Sequence, residues 1–243
     1  MKLSRSFQRL AGGLRNLRHG YQPGPSPVTR AISISMVKNE QDVIEPFLRH
    51  NRQFFDAMIV LDHGSTDRTA EIIENCAREL GGIFFTHIAR FDYAQSEYMT
   101  AALQYAQSAF FADFVCFLDA DEFIPSPDRA AFLQALEVVP VGEASEHEWQ
   151  TFLPDPAAPP NEGRDWLDDM LFRRAKERPR EIKCFIRMGG GTEPDLVVRQ
   201  GNHGFSVSGR VVRCLPIKSI PLRHFPVRSA TQIITREIGR AHV

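Results

Sequence analysis

The sequence predicts an α/β fold in which helices flank a mostly parallel central sheet. Between residues 30 and 125, short apolar runs alternate with segments whose apolar residues recur at helical spacing. The fourth run, Phe114 to Leu118, is apolar throughout, as a strand that is covered on both faces must be. Strands that alternate with helices form βαβ units, and such units build parallel sheets.

Each element of this half is predicted from its own pattern. Apolar runs predict strands at residues 31–37 (AISISMV), 57–61 (AMIVL), 83–87 and 114–118. Helical spacing of apolar side chains predicts helices between them, from Val43 to Phe55, from Ile72 to Leu80 and from Tyr98 to Ala109. The paired glycines Gly81 and Gly82 end the second helix.

The chain changes character after Pro125. One helix is predicted at residues 126–136, and a Pro-rich stretch with short mixed strands follows, at residues 149–153, 183–187, 196–199 and 210–214. We therefore expect a tail and linker (1–29), a βαβ half (30–125) and a less regular half of the same domain (126–243).

Composition and charge exclude several classes of protein. The chain has 243 residues with 29 basic and 30 acidic side chains, and its formal net charge is -1. No global field therefore attracts nucleic acid, and an anionic ligand must be bound locally. No window approaches the roughly 20 apolar residues of a membrane helix. The cysteines lack CxxC pairing, which favours buried thiols in the cytoplasm over disulfides or zinc.

Residues 1–20 combine basic and apolar side chains in the pattern of a short amphipathic helix, and a Pro-rich linker follows. Two interpretations are open: a frayed, solvated terminus, or weak contact with a membrane surface. The expected location is therefore the cytoplasm, either free or peripheral at the membrane.

Polar loops follow the predicted strands at the edge where parallel strands end. They are Lys38 to Glu40, Asp62 to Asp67, Arg90 to Gln95 and Asp119 to Phe123. In sheets of this kind, ligands bind beyond the carboxyl ends of the strands. The polar chemistry of the first half is therefore expected to converge on one edge.

Asp119 and Asp121 place two carboxylates close together at the end of a buried strand. A cation must offset their mutual repulsion, and a hard divalent ion with oxygen ligands, Mg²⁺ or Mn²⁺, meets that need and bridges to a diphosphate. The alternative is that both acids cap a helix or lie in a solvated turn. The apolar run before them and the Glu-Phe-Ile-Pro after them favour the metal.

The loop from Asp62 to Asp67 contains a second acidic candidate. Gly64 permits a tight turn there, and Asp67 is explained by capping of the following helix. Asp62 ends the strand before the cap, where its carboxylate is placed to accept a hydrogen bond from a base or a ribose.

Three motifs, taken in order, resemble the family 2 glycosyltransferases of the GT-A fold over residues 31 to 125. They are Met36-Val-Lys-Asn-Glu40, Val60-Leu-Asp-His-Gly-Ser-Thr-Asp67 and Phe117-Leu-Asp-Ala-Asp-Glu-Phe123. The resemblance implies a Rossmann-like GT-A sandwich with a nucleotide-sugar-binding half and an acceptor-side half. It also implies metal-dependent transfer of a sugar from a nucleoside diphosphate donor to a hydroxyl of a saccharide or other acceptor, with inversion. His63 stands where relatives commonly carry Asp or Asn, which leaves base and sugar specificity open.

The resemblance assigns a role to each matching position. The residues that would hold the nucleoside are Val37, Asn39, Glu40 and Asp62, while Asp119 and Asp121 would contact the ribose, the diphosphate and the metal. The segment from His224 to Ser229 (HFPVRS) resembles one found late in this branch of the family. It implies His224 as a further metal ligand and Arg228 as a diphosphate clamp, since a guanidinium presents a fork of donors. Packing or surface roles are the alternatives for both.

An inverting transferase needs a side chain that takes the proton of the acceptor hydroxyl. We select Asp155 and His203 as the candidates for this catalytic base, from a set in the second half that also contains Glu162, Asp165, Asp168 and Asp169. The Asp165 to Asp169 cluster also fits a solvated helix face. Trp149 is either a wall on which a sugar stacks or a core residue.

Two other functions fit parts of the pattern. A nucleotidyltransferase shares the sheet and the metal-binding acids, but it should carry a basic, Gly-rich loop after the first strand, where this chain has Lys38-Asn-Glu40. The other alternative is a degenerate, non-catalytic module, either one that still binds sugar nucleotides or a scaffold. Failure to bind any nucleotide donor would favour the scaffold.

Overall fold

A parallel sheet built by the first half of the chain is the centre of the fold. The structure is a computed structural model, and it describes residues 29–88, 95–155, 170, 172–177, 182–189, 195–228 and 232. The strands are β1 (Ala31–Val37), β2 (Ala57–Asp62), β3 (Ile83–His87) and β4 (Phe114–Phe117). They lie in the order β3, β2, β1, β4, and every pair is parallel. The predicted parallel sheet is confirmed.

Helices cover both faces of this sheet. The helices are α1 (Ile44–Asn51), extended by a 3-10 turn at Arg52–Phe54, then α2 (Thr69–Leu80), α3 (Gln95–Phe110) and α4 (Arg129–Leu136). Each face of the sheet is covered by one cluster of buried apolar side chains. Because alternate residues of a strand point to opposite faces, Ile59 belongs to the cluster that includes α3, whereas Val60 belongs to the cluster that includes α1, α2 and α4. Both faces of the sheet are therefore buried.

Antiparallel strands from the second half extend the sheet. β8 (Ile182–Arg187) pairs with β4, β6 (Ala144–Leu153) pairs with β8, and β13 (Leu222–His224) lies between β6 and β5 (Glu122–Phe123). β7 (Phe172–Arg173) and β12 (Cys214–Pro216) also pair with β6. β9 (Leu196–Val198), β10 (Phe205–Val207) and β11 (Arg210–Val211) form a small separate sheet beside α3.

Several predicted boundaries in this half are wrong. The strand predicted at residues 210–214 is two strands, because Val211 ends a hairpin with β10 whereas Cys214 begins a new pairing with β6. The predicted helix at residues 126–136 begins later, at Arg129, because the Asp128 carboxylate accepts a hydrogen bond from the Ala131 amide and caps it there. Strands β5, β7, β10 and β13 were not predicted.

The remaining predictions on organisation are not tested. The tail at residues 1–28 lies outside the described residues, so its amphipathic helix and membrane contact stay predictions. The division into halves at residue 125 also stays a prediction. Within the described part of the chain, no helix is long and apolar enough to cross a bilayer.

Candidate functional site

The loops after β1 and β2 are joined by hydrogen bonds. The Asn39 amide donates to Ser65 Oγ at 2.9 Å, and Asn39 Oδ1 accepts from the Thr66 amide at 2.8 Å. The Glu40 amide donates to Thr69 Oγ1 at 2.8 Å, and the buried Val37 carbonyl accepts from a loop amide at 2.8 Å. The structure thus brings Val37, Asn39 and Glu40 to the same edge as Asp62, although part of their polar capacity is used between the loops.

Asp62 is buried, and its carboxylate already has partners. Its Oδ1 accepts from the Ser65 amide at 3.0 Å, and its Oδ2 lies 2.9 Å from Nδ1 of His87. The His87 side chain is 60% exposed, so a ligand at the ends of β2 and β3 meets this imidazole before it meets Asp62. Sequence reasoning missed His87, although it ends β3 and lies in register with Asp62. Nucleoside binding by Asp62 stays a prediction.

The turn after β4 carries Asp119, which is half-buried, and Asp121, which is buried. The turn is closed on itself, since the Glu122 amide donates to the Asp119 carbonyl at 3.1 Å and the Asp119 amide donates to Glu122 Oε2 at 2.9 Å. Beneath it lies the buried side chain of Asn51, whose Nδ2 donates to the Glu122 carbonyl at 3.0 Å and whose Oδ1 accepts from the Ile124 backbone amide at 3.1 Å. We name residues 119–122 the acidic turn; helix α1 fixes its position.

A buried lysine lies against the acidic turn. β8 runs antiparallel to β4, so its beginning lies at the edge where β4 ends, and there Lys183 Nζ lies 2.6 Å from Asp119 Oδ2 and 3.6 Å from Glu122 Oε1. Burial alone lowers the pKa of this ammonium, but the charges of Asp119 and Glu122 outweigh it, so the pKa lies above its usual value. Burial also raises the pKa of the Glu122 carboxyl, and Lys183 opposes that shift.

From the sequence, a metal ion alone was expected to neutralise Asp119 and Asp121. In the structure, the ammonium of Lys183 already offsets part of this negative charge. Lys183 could not be found from the sequence because Asp119 lies 64 positions earlier in the chain. Only the antiparallel pairing of β8 with β4 brings the two residues together.

His224 and Asp121 are brought together by strand pairing. β13 pairs with β5 so that His224 lies opposite Glu122, and His224 Nε2 is 3.8 Å from Asp121 Oδ2. The His224 ring stacks on Trp149 with the ring centroids 4.0 Å apart. Burial lowers the pKa of His224, with Asp121 opposing, so the neutral imidazole, the form that binds metal ions, is favoured. Trp149 thus supports His224.

Arg228 is a buried link between distant parts of the chain. Its Nη2 donates to Glu40 Oε2 at 2.7 Å and to Asp42 Oδ1 at 3.0 Å, Nε donates to Asp42 Oδ2 at 2.8 Å, and Nη1 donates to the Phe225 carbonyl at 2.9 Å. Its Nη1 also lies 3.7 Å from Asp121 Oδ2. A guanidinium has five N–H donors, and these four bonds use most of them. Its role as a diphosphate clamp stays a prediction.

The two candidate bases lie in different surroundings. His203 is exposed, its Nδ1 is 2.6 Å from the Ile182 carbonyl, and its ring meets the edge of Trp149 at 6.5 Å between centroids. Asp155 is half-buried and lies just after the end of β6. Glu162, Asp165, Asp168 and Asp169 lie outside the described residues.

The donors at the acidic turn fit a divalent ion whose coordination is completed by its substrate. Within the described ranges, no three His, Cys, Asp or Glu side chains gather around one point. Asp121 Oδ2 and His224 Nε2, 3.8 Å apart, are close enough to share an ion. Mg²⁺ is commonly held by one or two carboxylates together with substrate phosphates and waters. The residues present therefore fit such an ion, with an anionic substrate as the missing partner.

Comparison with known proteins supports the fold and the family. Residues 34–152 match the sequence model of Glycosyl transferase family 2. The structure of GalNAc-T7 with UDP, GalNAc and Mn²⁺ superposes with a TM-score of 0.51 at 14% identity, over 85% of this chain and 45% of that chain. This match shows a shared fold, which confirms the predicted GT-A architecture. The comparison with curated proteins gives no significant match.

Two further solved structures are similar over shorter regions. Mannosyltransferase PcManGT from Pyrobaculum calidifontis, in complex with GDP-Man and Mn²⁺, has 20% identity and a TM-score of 0.41, over 62% of this chain and 44% of that chain. Glucosyl-3-phosphoglycerate synthase from Mycobacterium tuberculosis has 21% identity and a TM-score of 0.33, over 58% of this chain and 47% of that chain. The chain spans less than half the length of each of these solved proteins.

Proposed function

Since the chain belongs to glycosyl transferase family 2 through residues 34–152, we propose that it transfers a sugar from a nucleoside diphosphate donor to a hydroxyl of a saccharide or other acceptor. The observation that carries this proposal is the acidic turn after β4, with Asp121 facing His224 at 3.8 Å. Both side chains are largely buried, and they lie at the edge where a parallel sheet binds its ligands. That position suits a diphosphate and its cation.

The proposed cofactor is Mn²⁺ or Mg²⁺, held by Asp121 and His224 beside Asp119. When bound, such an ion would stabilise the negative charge that develops on the departing diphosphate. The stacking of His224 on Trp149 supports this role, because it fixes the imidazole with Nε2 toward Asp121.

The nucleoside would lie along the loops of β1 to β3. In this proposal Val37, Asn39 and Glu40 form one wall, and Asp62 holds His87 so that the exposed imidazole faces the base or ribose. The support is the register of the strands, since Val37 pairs with Asp62 and Asp62 pairs with His87.

For the inverting reaction, we place His203 before Asp155 as the base. A carbonyl only accepts hydrogen bonds, so the contact with Ile182 makes Nδ1 the donor and leaves the lone pair on Nε2, as a general base requires. His203 also adjoins Trp149, which contacts the metal-binding candidate His224.

A donor screen with the purified protein tests this function. UDP-, GDP- and dTDP-sugars would be incubated with Mn²⁺, and release of the nucleoside diphosphate would be followed by mass spectrometry. We expect turnover of at least one donor, reduced by about 100-fold or more in Asp121→Asn, since loss of one charge-stabilising group costs that much. Asp195→Asn, an exposed position, is the matched control. Full donor turnover by Asp121→Asn, or no binding of any nucleotide with Mn²⁺ in calorimetry, would contradict the proposal.

A further inference from the structure

Lys183 is buried at a place where a lysine is costly. Its side chain is only 2% exposed, and its ammonium contacts Asp119 and Glu122 and lies 5.9 Å from the centre of the Trp149 ring. Removing an ammonium from water is strongly unfavourable unless acidic partners compensate. Packing alone therefore does not account for a lysine here, whereas pairing with the acidic turn does.

The charges at the acidic turn divide into two groups. Lys183 lies against Asp119 and Glu122, at 2.6 Å and 3.6 Å. Asp121 instead faces His224 at 3.8 Å and Arg228 at 3.7 Å. The ammonium thus offsets the charges of Asp119 and Glu122, and it repels any second cation brought to the turn.

We propose that Lys183 is a positioning residue that serves as a built-in counter-ion: it fixes the Asp119 carboxylate and lowers the affinity of the empty acidic turn for a divalent ion. An ion then binds well only when an anionic diphosphate arrives with it, because the phosphate charge offsets the repulsion. This inference rests on the proposed function, in which a nucleoside diphosphate and a divalent ion occupy the turn together.

Calorimetry with Mn²⁺ alone tests the counter-ion role without any enzymatic activity. Lys183→Met keeps most of the length of the side chain and removes the charge, and it should bind Mn²⁺ alone about tenfold more tightly than the wild type, or more. Lys183→Arg should retain the weak binding of the wild type. Lys218→Met removes a charge from the exposed turn between β12 and β13, and it should leave Mn²⁺ binding unchanged.

The coupling between metal and nucleotide gives a second readout. In the wild type, saturating UDP or GDP should increase the affinity for Mn²⁺ strongly. In Lys183→Met this increase should be several-fold smaller, because the empty turn already binds the ion. A purely structural lysine would change unfolding and leave this coupling in place.

Circular dichroism establishes that the variants are folded. Should Lys183→Met not fold, the double variant Lys183→Met/Glu122→Gln replaces it, since it removes both buried charges. Its turn has the net charge of the wild type, so its affinity for Mn²⁺ alone should lie near the wild-type value, whereas Glu122→Gln alone should bind Mn²⁺ more weakly. Equal Mn²⁺ affinity in folded Lys183→Met and wild type would overturn the inference, as would a double variant that binds no more tightly than Glu122→Gln. Absence of nucleotide binding to the wild type would instead contradict the proposed function, while the comparison with Mn²⁺ alone would still decide the role of Lys183.

Discussion

Replacing Arg228 by Met should destabilise the protein strongly, although the residue was predicted to bind a ligand. Its side chain is 1% exposed, and its partners Glu40 and Asp42 are 13% and 34% exposed. Removing one partner of a buried ion pair costs about 3–5 kcal/mol because a charge is left unpaired. Asp42 can regain water, so we expect the lower end, about 3 kcal/mol. In a domain of this size, that lowers Tm by about 6–12 °C.

The matched control is Arg68→Met. Arg68 also pairs with a carboxylate, Glu71 at 3.0 Å, but the two side chains are 69% and 56% exposed. Solvent screens such pairs, so this variant should unfold near the wild-type temperature. Differential scanning calorimetry compares the two variants, and calorimetric titration with UDP and Mn²⁺ measures ligand affinity. A Tm for Arg228→Met within about 2 °C of the control, together with weakened nucleotide binding, would refute the structural role and favour the diphosphate clamp.

Three further predictions concern stability, pH and the nucleoside. Asn51→Ala should cost about 2–4 kcal/mol in urea unfolding, since it leaves two buried backbone groups of the acidic turn without partners; an unchanged urea midpoint would contradict this. Burial lowers the pKa of His147 from 6.5 to about 4, so as the pH falls this histidine is protonated in the unfolded chain before it is protonated in the folded protein. The free energy of unfolding should therefore be unaffected by His147 above about pH 6.5 and should fall by roughly 3 kcal/mol between pH 6.5 and pH 4. His224, with its pKa also lowered, adds to the same trend; equal urea midpoints at pH 7 and pH 5 would exclude it. His87→Ala, which removes the exposed partner of Asp62, should weaken UDP or GDP binding several-fold in calorimetry while Mn²⁺ binding stays unchanged. Equal nucleotide affinity in His87→Ala and the wild type would show that the nucleobase binds away from His87.

The parallel half could be predicted closely because each of its strands is an apolar run between polar loops. β3 has the predicted bounds, residues 83–87, and β1 has the predicted bounds, residues 31–37. β6 begins at Ala144 and not at the predicted residue 149. Its first part was missed because two of the buried residues there, Ser145 and His147, are polar. Ser145 and His147 satisfy each other in the core at 2.7 Å. A buried polar pair of this kind has the same sequence pattern as a solvated segment.

The candidate site was only half accessible from the sequence. Asp119 and Asp121 could be placed because both lie in the turn after one recognisable strand, β4. Lys183 was missed, and His224 was named only through the family resemblance, because both reach the acidic turn through strand pairing, of β8 with β4 and of β13 with β5. Strand order and register across the chain are set by tertiary packing, so local patterns do not contain them. Two acidic partners of Arg228, Glu40 and Asp42, lie 188 and 186 positions away in the chain, so local patterns do not show these contacts either.

In the proposed function, the acidic turn and His224 together bind the cation and the diphosphate of a sugar nucleotide. Diffraction at the manganese absorption edge, from crystals grown with Mn²⁺ and UDP or GDP, would locate the ion and the nucleotide. We expect an anomalous peak in contact with Asp121 and His224, with the diphosphate beside it and the nucleobase near His87. A manganese peak at another place, or a nucleotide bound away from this edge of the sheet, would contradict it.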